Sequence, residues 1–264
     1  MVGASIDRTI KVWNGATLKR SVPGHKNKVH CVKLNPTDGA RTMVSGGTDQ
    51  TIRVWDVNSG RELKMLRAPS TCNSLDVSTF DGSVVVSGHQ DGAVRLWDLR
   101  NGEQVACTPP AYGQQGAGGG PVHTSQVTST VFNPRGSMQI LTASRDNTCR
   151  VIDSRTLEPL SSLPRAGLTH NALRIGYNWS RSAFSHDGRY AVAGSLNGVV
   201  LCWDVQGGGV SQPQASSAVA APGTCVAQLR THSAAVTSCA WSPGVGGWQQ
   251  VATCDKSGKL CLWD

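Results

Sequence analysis

Residues 141–156 read LTASRDNTCRVIDSRT. Two other stretches share that frame, VSGGTDQTIRVWD at 44–56 and VSGHQDGAVRLWD at 86–98, and both end on Trp-Asp. Ile152 stands where the indole is expected. Aligned on this dipeptide, the chain shows Trp13-Asn14, Trp55-Asp56, Trp97-Asp98, Ile152-Asp153, Trp203-Asp204 and Trp263-Asp264, spaced 42 to 60 residues apart. Six positions before each lies a turn-forming residue: Asp7, Asp49, Asp91, Asp146, Asn197 and Ser257. Short apolar runs ending in small residues precede these, as in TMVSGG, VVVSGH and AVAGS. Earlier still come strand-plus-turn segments such as VHCVKLNPTDG and VTSTVFNPRG. Each unit therefore reads as strand a, a polar turn, strand b, a tight turn, strand c ending at Trp-Asp, and a variable strand d.

Length and composition fit this reading. A chain of 264 residues can bury about three-quarters of its unfolded surface. Apolar residues make up 39% and charged ones 16%, the balance of a globular chain. No apolar run is long enough to span a bilayer as a helix, and the N-terminal stretch MVGASIDRTIKVW does not read as a signal peptide. The nine Cys show no C-x-x-C spacing and fall mostly in strand-like runs, as buried free thiols do. The net charge of +8 comes from dispersed Lys and Arg, which favours a solvated surface, with an acidic protein or lipid partner as the second reading.

The pattern resembles the WD-repeat family over essentially the whole chain. It implies an all-β propeller of short antiparallel strands with six units ending near 14, 56, 98, 153, 204 and 264. One domain over 1–264 is expected. The first unit begins at strand b and the last stops after strand c, so 22 strands are expected. Six units, two incomplete, of a seven-bladed ring would make this a natural fragment or the product of a truncated gene. Segments 108–122 and 206–224 are Gly-, Ser-, Pro- and Ala-rich and read as flexible insertions. Segment 164–181, with Tyr177 and Trp179, reads as ordered.

The resemblance assigns a structural hydrogen-bonded tetrad to His25, Ser45, Asp49 and Trp55. The His, Ser and Asp of that set suggest a hydrolase triad only out of context, and no nucleophile elbow, metalloprotease or P-loop motif is present. No catalytic, cofactor or metal residue is assigned. The unit ending at Trp97 has no His at the matching place. The last unit has His232, Thr253 and Trp263 with Ser257 in the turn. Lys11, Arg53, Arg95 and Arg150, two before the Trp position, are expected to pack their stems and extend their charges to water.

Finer features are similar to the WD-repeat half of the autophagy-related protein 16 family: Ser144-Arg145-Asp146, Val151-Ile152-Asp153, Arg155-Thr156, STCNSLDV at 70–77, and GYNWSRSAFSHDGRYAVAGSLNG at 176–198. Ile152 is thus a mark of that family, and Ile suits a strand. The resemblance implies a non-catalytic scaffold in autophagosome assembly. The whole protein would join the autophagy 12–5 conjugate and help site lipidation of the autophagy 8 protein. It would be cytoplasmic, recruited indirectly to membranes at the phagophore assembly site, with protein partners and no nucleic acid. The alternative is a substrate receptor of a cullin-RING ubiquitin ligase, suggested by Trp97-Asp98-Leu99-Arg100. A candidate partner-binding rim comprises Lys26, Lys28, Thr48, His89, Gln90, Arg145, Asn147 and Lys256. A candidate basic edge comprises Arg61, Lys64 and Arg67, open to strand addition by an acidic peptide.

Overall fold

The computed structural model describes residues 1–111, 121–135, 138–164, 167–206, 221–242 and 250–264. The inner parts of the two insertions expected to be flexible, 112–120 and 207–220, lie outside the described residues. The chain packs as two compact units, Met1–Thr130 and Val131–Asp264. Among the described residues the regular elements are 21 strands in six antiparallel sheets, each strand paired with its neighbour in sequence.

In the first unit, β1 (Val2–Ala4), β2 (Thr9–Asn14) and β3 (Thr17–Pro23) form one sheet. A second is built from β4 (Val29–Leu34), β5 (Thr42–Gly47), β6 (Thr51–Asp56) and β7 (Glu62–Arg67). A third is built from β8 (Cys72–Val77), β9 (Val84–His89), β10 (Val94–Asp98) and β11 (Glu103–Cys107). The tight turns between the second and third strands of each repeat have one chemical cause. Carboxylate oxygens of Asp7, Asp49 and Asp91 accept the backbone N–H two residues on, from Thr9, Thr51 and Ala93. That Asx turn closes the hairpin locally.

Side-chain alternation sends neighbouring residues to different cores. Met43 and Trp55 join Ile10, Val12 and Val22 of the first sheet. Their immediate neighbours Val44 and Val54 join Leu75, Val77 and Trp97 of the third. The second sheet is therefore apolar on both faces. Truncating a fully buried side chain such as Met43 or Ile52 to Ala costs about 2–5 kcal/mol. The outermost strand, β7, keeps only Leu66 buried. A bulge recurs just before the Trp: the register against the outer strand shifts between Val12 and Trp13, Val54 and Trp55, and Leu96 and Trp97. The indoles of Trp55 and Trp97 are buried beside these bulges.

In the second unit, β13 (Gln139–Ser144) and β14 (Thr148–Asp153) follow β12 (Val127–Phe132), which leads into the unit. Then come β15 (Ser182–Phe184), β16 (Tyr190–Gly194), β17 (Val199–Asp204) and β18 (Thr224–Arg230) as a four-stranded sheet. The last sheet holds β19 (Val236–Trp241), β20 (Val251–Asp255) and β21 (Leu260–Trp263). Leu141, Val151, Phe184, Leu201 and Trp203 share one core, and Val192, Val200, Val236 and Val251 share another.

The fourth repeat departs from expectation, because among the described residues no regular outer strand flanks β14. Among the described residues, the segment after it pairs with β14 in two isolated bridges, Ile152 with Pro159 and Cys149 with Leu168, and packs Leu160, Leu163 and Leu168 on the same core. Pro159 and Pro164 lack the N–H that a ladder needs. Leu157, at φ 58°, has already turned the chain out of strand geometry. Ile152 itself is fully buried opposite Ile140, so the indole is replaced by packing.

Candidate functional site

The assigned tetrad forms as a chain of hydrogen bonds. The Trp55 indole N–H donates to Ser45 Oγ at 2.8 Å. Ser45 Oγ lies 2.6 Å from His25 Nε2, and His25 Nδ1 lies 2.9 Å from Asp49 Oδ2. The donors run in one direction only if His25 is neutral: Nδ1–H to the carboxylate, and the Ser45 hydroxyl to Nε2. Burial holds the His25 pKa below its ordinary value, against the opposing Asp49 charge. Burial raises the Asp49 carboxyl, but bonds from the Lys26 N–H, Thr51 and His25 outweigh it and leave it lowered. His25 is 6% exposed and Ser45 0%, so no substrate reaches this Ser-His-Asp set. It is a strut across the sheet, in which every polar atom has a partner.

Two related struts differ from expectation. His89 is a correction to the expected rim, because it is fully buried. Its Nε2 lies 2.7 Å from Ser87 Oγ, which also accepts the Trp97 indole N–H at 2.7 Å. Its Nδ1 reaches the Ser70 carbonyl at 3.1 Å. The third sheet thus takes its imidazole from β9 itself. Ser87 and His89 are two apart on a strand and share a face, which was the available signal. Burial and the neighbouring Arg95 charge push the His89 pKa down.

In the last sheet Asp255, not the turn residue Ser257, completes the set. Its Oδ2 lies 2.9 Å from His232 Nδ1, while His232 Nε2 and the Trp263 indole meet Thr253 Oγ1 at 2.8 Å. Asp255 also accepts the N–H groups of Ser257 and Lys259. Asp255→Ala is therefore expected to lower the melting temperature distinctly more than Ser257→Ala. Equal effects in thermal melts of the two variants would contradict the assignment.

The β15–β18 sheet lacks the strut. Ala193 occupies the place of the hydroxyl residue, and the buried Trp203 indole N–H finds no acceptor among the described residues. Ala193→Ser supplies one, so a gain of about 1 kcal/mol in denaturant unfolding is expected. A loss would show that the pocket has no room for the oxygen.

Arg53 and Arg95 also differ from expectation. Both are buried, at 6% and 4% exposure, and their guanidinium groups are held in ion pairs. Arg53 pairs with Glu62 at 2.6 Å and Arg95 with Asp91 at 2.6 Å. Their role is structural, as ties between the turn and the sheet.

Of the expected rim, Lys26, Lys28, Gln90, Arg145 and Lys256 are exposed. Lys26, Lys28 and Thr48 come together in the first unit. The Lys26 N–H donates to Asp49, and the Thr48 N–H donates to the Lys28 carbonyl. The Thr48 hydroxyl is taken by His30 Nε2 at 2.7 Å. In the second unit the Asn147 side chain is likewise committed, accepting the Ile175 N–H at 2.8 Å. Lys256 lies over the Tyr177 ring, its Nζ 5.2 Å from the centroid.

The basic edge is less basic than its sequence suggests. Arg61 and Arg67 are exposed, but Lys64 is half-buried and donates to the carbonyls of Leu99 and Arg100 at 2.8 Å. Leu63 and Met65 are exposed between them. Arg100 of the Trp-Asp-x-Arg motif folds back on Asp98 at 2.7 Å. The same clasp joins Arg155 to Asp153 at 2.8 Å, so it belongs to the turn after strand c in more than one repeat.

The family described as WD domain, G-beta repeat matches residues 16–56, 60–98, 121–153, 179–204 and 223–264, more than half of the chain. Autophagy-related protein 16 of Arabidopsis thaliana is 32% identical over 265 residues, covering 100% of this chain and 45% of that protein. Protein tipD of Dictyostelium discoideum is 29% identical over 268 residues, covering 100% of this chain and 38% of that protein. The chain thus spans less than half the length of these relatives. Among solved structures, that of the computationally designed Ika8 protein superposes with a TM-score of 0.67 at 24% identity, covering 99% of this chain and 67% of the other. That likeness concerns the fold alone.

Proposed function

This chain belongs to the WD-repeat family, and from that premise we propose that it is the partner-recruiting region of an autophagy scaffold of the autophagy-related protein 16 type. The observation that carries the reading is similarity to such a protein across the whole chain, beyond the Trp-Asp repeats themselves. The internal polar groups support a non-catalytic role. The Ser-His-Asp set is closed off as a strut, which leaves chemistry for partners to the turns. The whole protein would join the autophagy 12–5 conjugate and direct lipidation of the autophagy 8 protein. Its place would be the cytoplasm, with recruitment to phagophore assembly site membranes through its partners. Binding is to proteins, not to nucleic acid.

Affinity purification from the source cells tests this. The full-length protein is expected to recover the autophagy 12–5 conjugate, and the isolated chain to recover other components of the phagophore assembly site. Recovery of a cullin adaptor in their place would overturn the reading. Within the first unit, Lys26→Glu with Lys28→Glu is expected to slow association with an acidic partner, and the wild-type on-rate to fall with added salt. Unchanged, salt-independent association kinetics in the double variant would show those lysines to be bystanders.

A further inference from the structure

Residues 169–181 of the second unit form no regular strand, yet they are fastened repeatedly. The Ile175 N–H donates to Asn147 Oδ1, the Leu196 N–H to the Arg174 carbonyl, and the Arg181 N–H to the Thr237 carbonyl. The Ser180 N–H closes a turn on the Tyr177 carbonyl at 3.1 Å. Held this way, the rings of Tyr177 and Trp179 stack at a centroid distance of 5.0 Å with 10° between their planes. Lys256 approaches the stack from the β20–β21 turn, its ammonium 3.4 Å from the Tyr177 hydroxyl oxygen as well as over the ring. Leu196, 40% exposed, packs against Gly176 next to Tyr177, where an added Cβ would lie 2.4 Å from Leu196 Cδ1.

Trp179 remains 53% exposed. A large indole left in water, on a segment this firmly held, is a surface prepared for a partner, because little conformational entropy remains to be lost on binding. The ring lies flat on Tyr177. It therefore offers a face to a planar or apolar group and not a wedge to a bilayer. The charge beside it is cationic: Lys256 is exposed over Tyr177, while the adjacent Asp255 is committed to His232 and to its own turn.

We infer that the Lys256–Tyr177–Trp179 stack is a docking surface for an acidic segment of a protein partner. An apolar or aromatic side chain of that segment lies on the open face of Trp179, and a carboxylate of it faces Lys256. This deepens the recruiting role proposed above and rests on it.

The test uses the full chain and a fluorescein-labelled peptide of alternating Glu and Phe, read by fluorescence anisotropy. A peptide with Lys in place of Glu and vesicles of phosphatidylcholine with phosphatidylserine are measured in parallel. The Glu–Phe peptide is expected to bind, more weakly as salt rises, while the Lys–Phe peptide does not. Trp179→Ala and Lys256→Glu are each expected to weaken binding about tenfold with an unchanged melting temperature, and Trp179→Phe to retain most of it. Equal binding by wild type and variants, equal binding of the Lys–Phe peptide, or no binding of the Glu–Phe peptide overturns the inference. Trp179-dependent sedimentation with vesicles in the absence of peptide binding also overturns it, in favour of a lipid surface. If the peptide binds as expected but purification recovers no autophagy component, the autophagy reading fails and the docking surface stands.

Discussion

Ser45→Ala lowers the stability of the folded chain by about 3 kcal/mol, the loss expected when two buried polar partners are orphaned together. Ser45 Oγ is the single acceptor for the Trp55 indole and the single neighbour of His25 Nε2 in the strut. It is fully buried, so water cannot replace it. The substitution removes one oxygen and leaves the backbone register intact, which separates the hydrogen-bond loss from any packing defect. Denaturant unfolding with an unchanged m-value is the measurement. A loss below about 0.5 kcal/mol would mean that the indole and the imidazole find other partners, and that the strut carries no stability. Trp203 provides the natural control, since its indole already lacks an acceptor among the described residues.

Acidification from pH 7 to 5 is expected to destabilise the chain through His25 and His89. Both imidazoles are held neutral in the fold, with pKa values lowered first of all by burial. In the unfolded chain they protonate near their ordinary value of about 6.5. The unfolded state therefore binds more protons once the pH falls below that value. Stability is full above about pH 6.5 and drains away as the pH descends toward the folded-state pKa. Each histidine contributes a slope of up to about 1.4 kcal/mol per pH unit. The carboxylates of Asp49 and Asp91, lowered in the fold, begin to matter only at more acid pH. Denaturation curves at pH 7, 6 and 5 check this, and His89→Gln should remove about half of the slope. Stability that stays level across that range would show that protonated imidazole is accommodated in both struts.

Much of the architecture was legible in the sequence because its cause is local. The period-two alternation in TIRVWD sends Val54 and Trp55 to opposite faces whatever surrounds the strand. The Asp six residues before the Trp closes its turn with its own chain, as at Asp7, Asp49 and Asp91. The strut of His25, Ser45, Asp49 and Trp55 was implied by the resemblance to WD-repeat proteins, and its hydrogen bonds form. Ile152 could be read as a tolerated change because an aliphatic side chain fills a buried strand position as well as an indole does.

The errors lie where a polar atom had to choose among partners. Sequence spacing made His89 a loop residue on the rim and left the last set incomplete, with Ser257 in the turn where an Asp is expected. The fold instead folds His89 back onto Ser87 and gives His232 to Asp255. Counting from the Trp locates a strand position, but a hydrogen bond needs an acceptor within about 3 Å, and that depends on bulges and on the strand alongside. Arg53 and Lys64 read as surface charges for the same reason, since neither Glu62 nor the Leu99 carbonyl is apparent until the outer strand and the following turn are in place. Prolines 159 and 164 were visible, yet only the fold shows the outer strand of the fourth repeat reduced to two bridges.

By itself, then, the sequence determined the repeat, the strands and their faces, all of which follow from interactions within one repeat, while the first strut came from the resemblance that the repeat carries. Tertiary structure alone decided which charges are free and where an aromatic surface stands open. Tyr177 and Lys256 are 79 residues apart, and nothing in either neighbourhood announces the other. They meet because separate strands and turns of the second unit carry them to one place. Side-chain contact is set by distance in space, which local periodicity does not encode.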